Sequence, residues 1–337
     1  MNKVTAEILL DVKNLVKHFP ITSRGIFRKK QVGVIHAIDG VSFFIRKGET
    51  FGLVGESGCG KTTTARTILY LERPTTGEIR FEGVEVGEIF KSKNKEEILH
   101  LRRKMQYVYQ NPYASLDPRM TVADIIIEPL AIHSHVPKVK WHDRLYELLA
   151  LVGLEDYHAE RYPHEFSGGQ RQRICIARAL AVEPRLLILD EPVASLDVSV
   201  RAQILNLLQG LQEKLGMTYL YISHDLSTVR HICHRVAVMY LGKIVEIADT
   251  DDLFDSPLHP YTQALMSAIP VANPEAKITR IILPGEVPSP INPPAGCRFE
   301  PRCIHSKDHK CVEDAPGLLD AGKGHLVACT GASNQRS

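Results

Sequence analysis

One eight-residue segment, GESGCGKT, constrains the fold of this chain more than any other feature of its sequence. It runs from Gly55 to Thr62, follows the apolar run TFGLVG and precedes a helical pattern. The segment fits the pattern G-x-x-x-x-G-K-S/T, in which glycines turn backbone N–H groups towards phosphate oxygens and the lysine brings a positive charge to the outer phosphates. A chance glycine turn that caps a helix is the alternative. The preceding strand and the following helix favour a phosphate-binding loop, which indicates a nucleotide but no particular activity.

Continuous apolar runs predict strands that are buried on both faces. Besides TFGLVG, they are LLILD at 186–190 and YLYIS at 219–223. A helix between the last two is predicted from one apolar stripe, two cap candidates and a terminating glycine, namely Ile204, Leu208, Leu211 and Leu215; Asp197 and Ser199; and Gly216. Since a strand, a helix and a strand follow one another, we predict a parallel sheet and an α/β fold.

Two adjacent carboxylates end the second of these strands, in the segment RLLILDEP. Ligands of parallel sheets bind at the carboxyl ends of the strands. Asp190 is therefore a candidate to hold magnesium, directly or through water, and Glu191 is a candidate to orient and deprotonate an attacking water. Solvated acids at a strand end are the alternative, and the phosphate-binding loop upstream favours the catalytic interpretation.

A second glycine-rich segment, FSGGQRQR at 166–173, leads into the helical pattern ICIARALA. Ser167 is a good N-cap, and Gly168 and Gly169 leave the first backbone amides bare, so this helix start is a candidate site for a second phosphate. The phosphate-binding loop, FSGGQ and the acid pair, in this order, resemble the motifs of the ATP-binding-cassette (ABC) ATPases.

That resemblance covers roughly residues 8 to 255 and implies a fold and an activity. The fold is α/β, a P-loop NTPase of the ABC ATPase type, with a RecA-like parallel sheet core, an antiparallel β subdomain and a helical signature subdomain. The activity is Mg²⁺-dependent ATP hydrolysis at sites shared between two cassettes. We therefore expect a nucleotide-binding domain at 1–255 and a small Cys-rich C-terminal extension at 256–337.

The resemblance also implies roles for single residues. Gln110 matches the glutamine loop, which reaches the magnesium and responds to the transmembrane partner, and Asp197 matches the D-loop. His224 matches the switch histidine at the terminal phosphate, and Phe19 matches the aromatic that stacks on adenine. A structural histidine and a core phenylalanine are the alternatives for the last two.

The implied catalytic residues are Glu191, His224 and Lys61, and the implied magnesium ligands are Thr62, Gln110 and Asp190. The implied nucleotide-binding residues are Phe19, Gly55, Glu56, Ser57, Gly58, Cys59, Gly60, Lys61, Thr62, Thr63, Gln110, Ser167, Gly168, Gly169, Gln170 and Asp197.

Three more segments resemble the ATP-binding subunits of bacterial oligopeptide and dipeptide permeases, and within these the F-type subunit is most similar. They are QNPYASLDPRMTVADIIIEPL, SPLHPYTQALMSAIP and PGEVPSPINPPAGCRFEPRC. The resemblance implies a heterodimer with a second ABC ATPase subunit, two transmembrane permease subunits and, indirectly, an extracytoplasmic peptide-binding protein. It also implies a peripheral location at the cytoplasmic face of the inner membrane.

Four of the seven cysteines lie in the C-terminal extension. Five, seven and seventeen residues separate them, without the close C-x-x-C pairs of zinc ribbons, at Cys297, Cys303, Cys311 and Cys329. Relatives with this quartet bind a [4Fe-4S] cluster, so the resemblance implies one here, and the irregular spacing suits a group larger than one ion. Two alternatives remain: free buried cysteines, and Zn²⁺ with one thiolate replaced by His305, His309 or His325.

Composition excludes several classes of protein. With 44% hydrophobic and 24% charged residues, the chain is neither disordered nor collagenous, and a net charge of +2 gives no basic surface for nucleic acid. No apolar run approaches the ~18 to 20 residues that cross a bilayer, and the first residues do not resemble a secretion signal. We expect a soluble, unexported chain in a reducing compartment.

Other functions are alternatives to ATP-driven peptide transport. A soluble cassette ATPase acting on nucleic acid or the ribosome usually has two cassettes or a coiled-coil insert, and this chain has one cassette without heptads. A redox-sensing iron–sulfur protein is disfavoured by the intact Glu191 and His224, and GTP by the absence of an N-K-x-D motif. An importer of another small solute, such as nickel, is a further alternative. The basic insertion at 21–34 is predicted to be a loop, either solvated or lying against anionic lipid or a partner subunit.

Overall fold

The computed structural model describes residues 7–24, 29–133, 136–269, 280–294, 296–305, 311 and 316–331. The strands are β1 (Ile8–Arg24), β2 (Lys29–Arg46), β3 (Thr50–Val54), β4 (Thr76–Phe81), β5 (Val84–Glu85), β6 (Met105–Val108), β7 (Leu186–Asp190), β8 (Thr218–Ser223), β9 (Arg235–Tyr240), β10 (Lys243–Asp249), β11 (Leu319–Asp320) and β12 (Leu326–Val327).

The helices are α1 (Lys61–Ile68), α2 (Val86–Ser92), α3 (Lys95–Lys104), α4 (Pro112–Ser115), α5 (Val122–His133), α6 (Trp141–Leu151), α7 (Gly168–Leu180), α8 (Val198–Leu215), α9 (Leu226–Ile232), α10 (Thr250–Asp255) and α11 (Pro260–Ser267). None of these helices is both long enough and apolar enough to cross a bilayer, in the part of the chain that the structure describes.

The chain forms two compact units, called the first and the second unit below. The first comprises Met1–Leu10, Ile45–Thr50 and Phe81–Ser223, and the second comprises Asp11–Phe44, Phe51–Arg80 and His224–Ser337.

The first unit contains a parallel arrangement of β6, β7 and β8, with β7 in the middle. Leu189 of β7 pairs with Val108 of β6 on one side and with Tyr221 of β8 on the other. Every residue of β7 and β8 is buried, as their continuous apolar runs predict. Helices α5, α6 and α7 pack against one another in the same unit. The predicted strand, helix and strand in parallel order are confirmed.

Helix α8 connects β7 to β8 and follows most of its predicted pattern. Asp197 occupies the N-cap position without a side-chain capping bond, Ser199 lies inside the helix, and Gly216 ends it in the left-handed conformation with φ 65°. The buried residues of the predicted stripe are Ile204, Leu208 and Leu211. The last residue of the stripe, Leu215, is 45% exposed, because the helix ends at this residue.

The second unit contains β3 parallel to β9, followed by the antiparallel strands β10, β12 and β11. Val327 of β12 pairs with Glu246 of β10, so a strand from beyond residue 255 continues the sheet. Strands β2, β1 and β4 are neighbours in a separate sheet. The domain boundary at residue 255 stays a prediction.

The basic insertion differs from its prediction as a loop. Strand β1 continues to Arg24 and β2 begins at Lys29, while residues 25–28 lie outside the described part of the chain. The segment contains Ile21, Thr22, Val32 and Val34, and β-branched side chains of this kind favour strands. Its described part is therefore strand.

Candidate functional site

The loop between β3 and α1 has the backbone of a phosphate-binding loop. Gly55, Gly58 and Gly60 have φ values of 151°, 80° and 111°, which side-chain-bearing residues rarely adopt. A Cβ atom at Gly55 would lie 2.1 Å from the Met239 carbonyl oxygen, and one at Gly60 would lie 2.2 Å from the Ala37 carbonyl oxygen. Gly58 has open space around it. Two of the glycines therefore allow the loop to pack against neighbouring backbone, and the third lies on its open side.

Lys61, the first residue of α1, is buried beneath this loop. Its Nζ donates hydrogen bonds to the carbonyl oxygens of Gly55 at 2.7 Å and Glu56 at 2.9 Å. Burial raises the pKa of the neighbouring Cys59 thiol, against the opposing effect of the Lys61 ammonium. The lysine is thus the cation of this loop, and Cys59 contributes a neutral thiol.

Glu56 is held at three of its atoms. Its backbone N–H donates to Tyr261 Oη at 2.9 Å, its carbonyl accepts from Lys61, and its Oε2 accepts from Arg302 Nη1 at 3.0 Å. Tyr261 and Arg302 both lie beyond residue 255, and neither was singled out from the sequence. The local sequence marks Arg302 only by its place beside a cysteine of the quartet, in the segment CRFEPRC at 297–303.

The acid pair ends β7 in the first unit. Asp190 is 3% exposed, and its Oδ2 accepts a hydrogen bond of 2.5 Å from Tyr107 Oη. Glu191 has a left-handed backbone with φ 48°, and its N–H donates to the carbonyl oxygen of Ile222 at 2.9 Å. For a glutamate this conformation costs on the order of 1–3 kcal/mol, and such strain is concentrated at functional sites. The two carboxylates therefore differ in environment, one buried and the other partly accessible.

Gln110 meets this acid pair directly. Its Nε2 donates a 2.7 Å hydrogen bond to Glu191 Oε2, so the structure brings together two residues that the sequence placed in one site. Tyr107, three residues before Gln110, was missed, because a tyrosine within an apolar strand is normally read as core. Its hydroxyl fixes the carboxylate of Asp190.

The segment FSGGQ forms the predicted cap of α7. Ser167 Oγ accepts from the Gln170 N–H at 3.3 Å, and Gln170 Oε1 accepts from the Ser167 N–H at 3.0 Å, which is a capping box. The backbone N–H of Gln170 therefore already has a partner, the Ser167 hydroxyl. A Cβ atom at Gly169 would lie 2.3 Å from Val200 Cγ1, so this glycine is required by close packing against α8.

Two other predicted residues have accessible side chains. His224 follows β8 directly and is exposed. Phe19 lies in β1 and is half-buried, with Lys17 Nζ 4.6 Å from the centroid of its ring. Their roles at the terminal phosphate and at adenine stay predictions.

The four cysteines of the C-terminal segment lie together in the second unit. All four, with His259 and Phe299, line one small cavity. The N–H of Cys297 donates to the Cys311 carbonyl oxygen at 2.8 Å. Burial raises the pKa of the Cys297 thiol to about 11, and repulsion from thiolates at Cys311 and Cys303 adds to this rise. These thiols form no disulfide.

The spacing of these sulfurs bears on the group they could hold. A tetrahedral zinc site with bonds of ~2.3 Å needs sulfurs less than ~4 Å apart. Among the described residues, the quartet does not provide three donor atoms within 4.8 Å of one another. His325 does not line the cavity, and its Nε2 lies 2.6 Å from the buried Glu246 Oε1, so this histidine already has a partner. His309 lies outside the described residues. As described, these sulfurs are not placed as the ligands of a single zinc ion.

A different group of residues does have metal-like spacing within the described chain. The donor atoms of His18, His36 and Asp39 all lie within 4.8 Å of one another. However, the guanidinium of Arg298 contacts Asp39 Oδ2. Despite the opposing effect of burial, the charges of Arg298 and Lys243 lower the pKa of the Asp39 carboxyl. Two cations beside the only carboxylate disfavour a divalent ion, so the group serves as an anchor for Arg298.

Comparison with known proteins places the chain in a family. The ABC transporter family matches residues 38–194, and the oligopeptide/dipeptide transporter C-terminal region matches residues 245–311. The oligopeptide transport ATP-binding protein AppF of Bacillus subtilis is 50% identical over 98% of this chain and 99% of its own length. This chain belongs to the ABC transporter ATP-binding proteins. The dipeptide transport ATP-binding protein DppF of Escherichia coli is 48% identical to this cassette protein, over 95% of this chain and 93% of DppF.

Solved structures confirm the predicted ABC ATPase fold. The dimeric ATP-binding cassette MJ0796 in a post-hydrolysis state, bound to ADP and Pi, superposes with a TM-score of 0.62. It is 28% identical, over 72% of this chain and 99% of its own. The cassette therefore has the α/β architecture that the three motifs indicate, and it belongs to a family of ATPases.

Proposed function

We propose that this chain is the ATP-hydrolysing subunit of an importer of oligopeptides or dipeptides, bound peripherally to the cytoplasmic face of the cell membrane. The observation that carries the proposal is the likeness to AppF over almost the whole length of both chains, including the C-terminal region. The relatives reported above are named as transport proteins, so a function of this chain on nucleic acid or the ribosome has no comparable support. Import of another solute, such as nickel, is the alternative.

The phosphate-binding loop supports nucleotide binding. Gly55 and Gly60 maintain its curvature, the open side at Gly58 admits phosphate oxygens, and Lys61 supplies a buried ammonium. Thr62, Gln110 and Asp190 are the proposed magnesium ligands, and the buried carboxylate and the glutamine oxygen suit a hard cation. When bound, Mg²⁺ supplies positive charge to the outer phosphates.

Glu191 is the proposed general base for hydrolysis. One of its carboxylate oxygens accepts from Gln110 Nε2, and the left-handed backbone sets its direction. The carboxylate orients the attacking water and takes its proton. His224 contacts the terminal phosphate, and the helix start at Ser167 belongs to the composite site of a second cassette. Gln110, hydrogen-bonded to the base, is the proposed connection to the membrane subunits.

The proposed partners give the test of this function. We expect a tagged chain, purified from membranes in mild detergent, to bring with it a second ABC ATPase subunit and two transmembrane subunits, without stoichiometric nucleic acid. The isolated chain is expected to hydrolyse ATP slowly, because its composite sites need the other cassette. Recovery with ribosomes or nucleic acid would contradict the function, whereas a fast homodimer would contradict only the heterodimer.

We further propose that the cysteine quartet holds a [4Fe-4S] cluster. The quartet lines a single cavity, its sulfurs are spread too widely for one zinc ion, and its other wall residues include the buried ring of Phe299. When bound, the cluster supplies a covalent link between Cys297, Cys303, Cys311 and Cys329. Burial raises the pKa of two of these thiols and so keeps them protonated before the metal binds. They would release their protons when they become ligands.

Replacing Cys303 or Cys311 by serine is expected to remove the cluster. Protein purified without oxygen should be brown and contain about four irons per chain, and the variants should lose both the colour and the iron. Cys175→Ser is the matched control, since Cys175 Sγ lies 3.2 Å from Ser115 Oγ and the new hydroxyl keeps a hydrogen-bond partner. Colourless protein with one zinc would favour the zinc alternative. Metal-free protein with an unchanged C-terminal segment would favour free cysteines.

A further inference from the structure

Two residues of the C-terminal segment hold one residue of the phosphate-binding loop. Tyr261 Oη accepts the backbone N–H of Glu56 at 2.9 Å, and Arg302 Nη1 donates to Glu56 Oε2 at 3.0 Å. Tyr261 is completely buried, and the Arg302 side chain is 10% exposed. The Glu56 side chain is 30% exposed, so the ion pair is partly buried, while the tyrosine hydroxyl reaches Glu56 from the protein interior. Partial burial makes such contacts stronger than they are on an open surface.

Both residues are themselves fixed in place. The ring of Tyr261 packs 4.7 Å from that of Tyr240 and 5.4 Å from that of Phe299, and these two rings meet edge to face at 5.3 Å. The N–H of Tyr261 donates to His259 Nδ1, which caps α11. The guanidinium of Arg302 lies 6.0 Å from the centroid of the Tyr240 ring. An aromatic cluster, rather than a flexible loop, thus supports the two contacts to Glu56.

We propose that Tyr261 and Arg302 are positioning residues for nucleotide binding, acting through Glu56. This inference rests on the proposed function, because it requires the loop to bind ATP. The carbonyl of Glu56 also accepts from Lys61 Nζ, so the place of the Glu56 backbone helps to set the place of the loop and of its ammonium. A loop that is held in its binding conformation loses less conformational entropy when phosphate binds.

Arg302 has a second effect, which is electrostatic. Glu56 carries a negative charge within the loop that has to attract phosphates. Pairing with Arg302 neutralises that charge, and without the pair the carboxylate would repel the ligand. Tyr261 therefore positions the backbone of Glu56, and Arg302 both positions and neutralises its side chain.

The contribution of Tyr261 is tested by removing its hydroxyl alone. Tyr261→Phe in the full chain is expected to weaken binding of a non-hydrolysable Mg·ATP analogue about threefold to tenfold, the loss that corresponds to one hydrogen bond. Tyr219→Phe is the matched control, because Tyr219 is also fully buried and its hydroxyl donates to the Leu208 carbonyl oxygen at 3.0 Å, in the first unit. This control should bind the analogue like wild type, whatever either variant loses in melting temperature.

The contribution of Arg302 is tested by rescue. Arg302→Met should weaken binding by a similar factor, Arg302→Lys should retain most of it, and adding Glu56→Gln to Arg302→Met should restore most of the loss. A purely structural arginine would not be rescued by a neutral residue at 56. In steady-state assays, the KM for ATP should rise much more than kcat falls.

Two negative results have different meanings. If wild type binds the analogue, and Tyr261→Phe and Arg302→Met bind it equally well, the positioning role is wrong and the proposed function is unaffected. If wild type binds no ATP analogue under conditions in which it is folded, the proposed function fails and the positioning role fails with it. Loss of affinity without rescue by Glu56→Gln would contradict the electrostatic role of Arg302.

Discussion

Replacing Glu191 by glutamine is expected to lower the rate of ATP hydrolysis by about 10²–10⁴-fold, the usual contribution of a general base. The amide cannot take the proton of the attacking water, although it has nearly the same shape as the carboxylate. The lysine at the phosphate-binding loop and the carboxylate of Asp190 are unchanged, so the Kd for ATP should stay close to that of wild type.

The measurement combines kcat of the assembled complex with equilibrium titration of ATP. Glu183→Gln is the matched control, because Glu183 also has a left-handed backbone, with φ 54°. Its side chain is 64% exposed, and its carboxylate pairs with Arg144 at 3.4 Å. Its hydrolysis should be unchanged. Near-normal turnover of Glu191→Gln would show that another residue is the base.

Replacing Lys61 by alanine is expected to act on binding itself. The variant removes the buried ammonium that donates to the Gly55 and Glu56 carbonyl oxygens and that would pair with the phosphates. A charged hydrogen bond is worth about 1.5–3 kcal/mol, so we expect affinity for ATP to fall by about ten- to a hundredfold or more. Hydrolysis should fall with it.

Nucleotide titration by calorimetry checks this loss directly. Lys214→Ala, on the exposed surface at the end of α8, is the control for removing a lysine charge and should bind ATP like wild type. A titration of Lys61→Ala that matches wild type would contradict the assignment of the phosphate-binding loop.

Short-range features of this cassette were predictable from the sequence. Strands β7 and β8 are buried on both faces, so their sequences are almost continuously apolar. Each strand can therefore be recognised from its own residues, without knowledge of its neighbours in the sheet. The cap of α7 involves only Ser167 and Gln170, three residues apart. Each of these features depends on neighbours along the chain, and each was found. Leu215 belongs to the same apolar stripe but is exposed, because a repeating pattern does not tell where packing ends.

Long-range contacts were not predictable in the same way. Tyr261 and Arg302 lie 205 and 246 residues from Glu56, and no local pattern marks a hydrogen bond at that separation. Gly169 illustrates a different limit. Its position in FSGGQ predicts an amide left bare for an anion, which stays a prediction, and the structure adds that a Cβ atom there would collide with Val200. A glycine needed for packing and one needed for binding look alike in a sequence.

ATP hydrolysis by this chain is proposed to drive peptide import, and transport by the reconstituted complex is the decisive test. The complex purified with its membrane subunits is placed in proteoliposomes with a peptide-binding protein and a labelled peptide on the side opposite the cassettes, and ATP is supplied on the cassette side. We predict ATP-dependent movement of the peptide to the cassette side, abolished by Glu191→Gln and retained by Glu183→Gln. Steady ATP hydrolysis without movement of any oligopeptide or dipeptide would contradict the proposed import function.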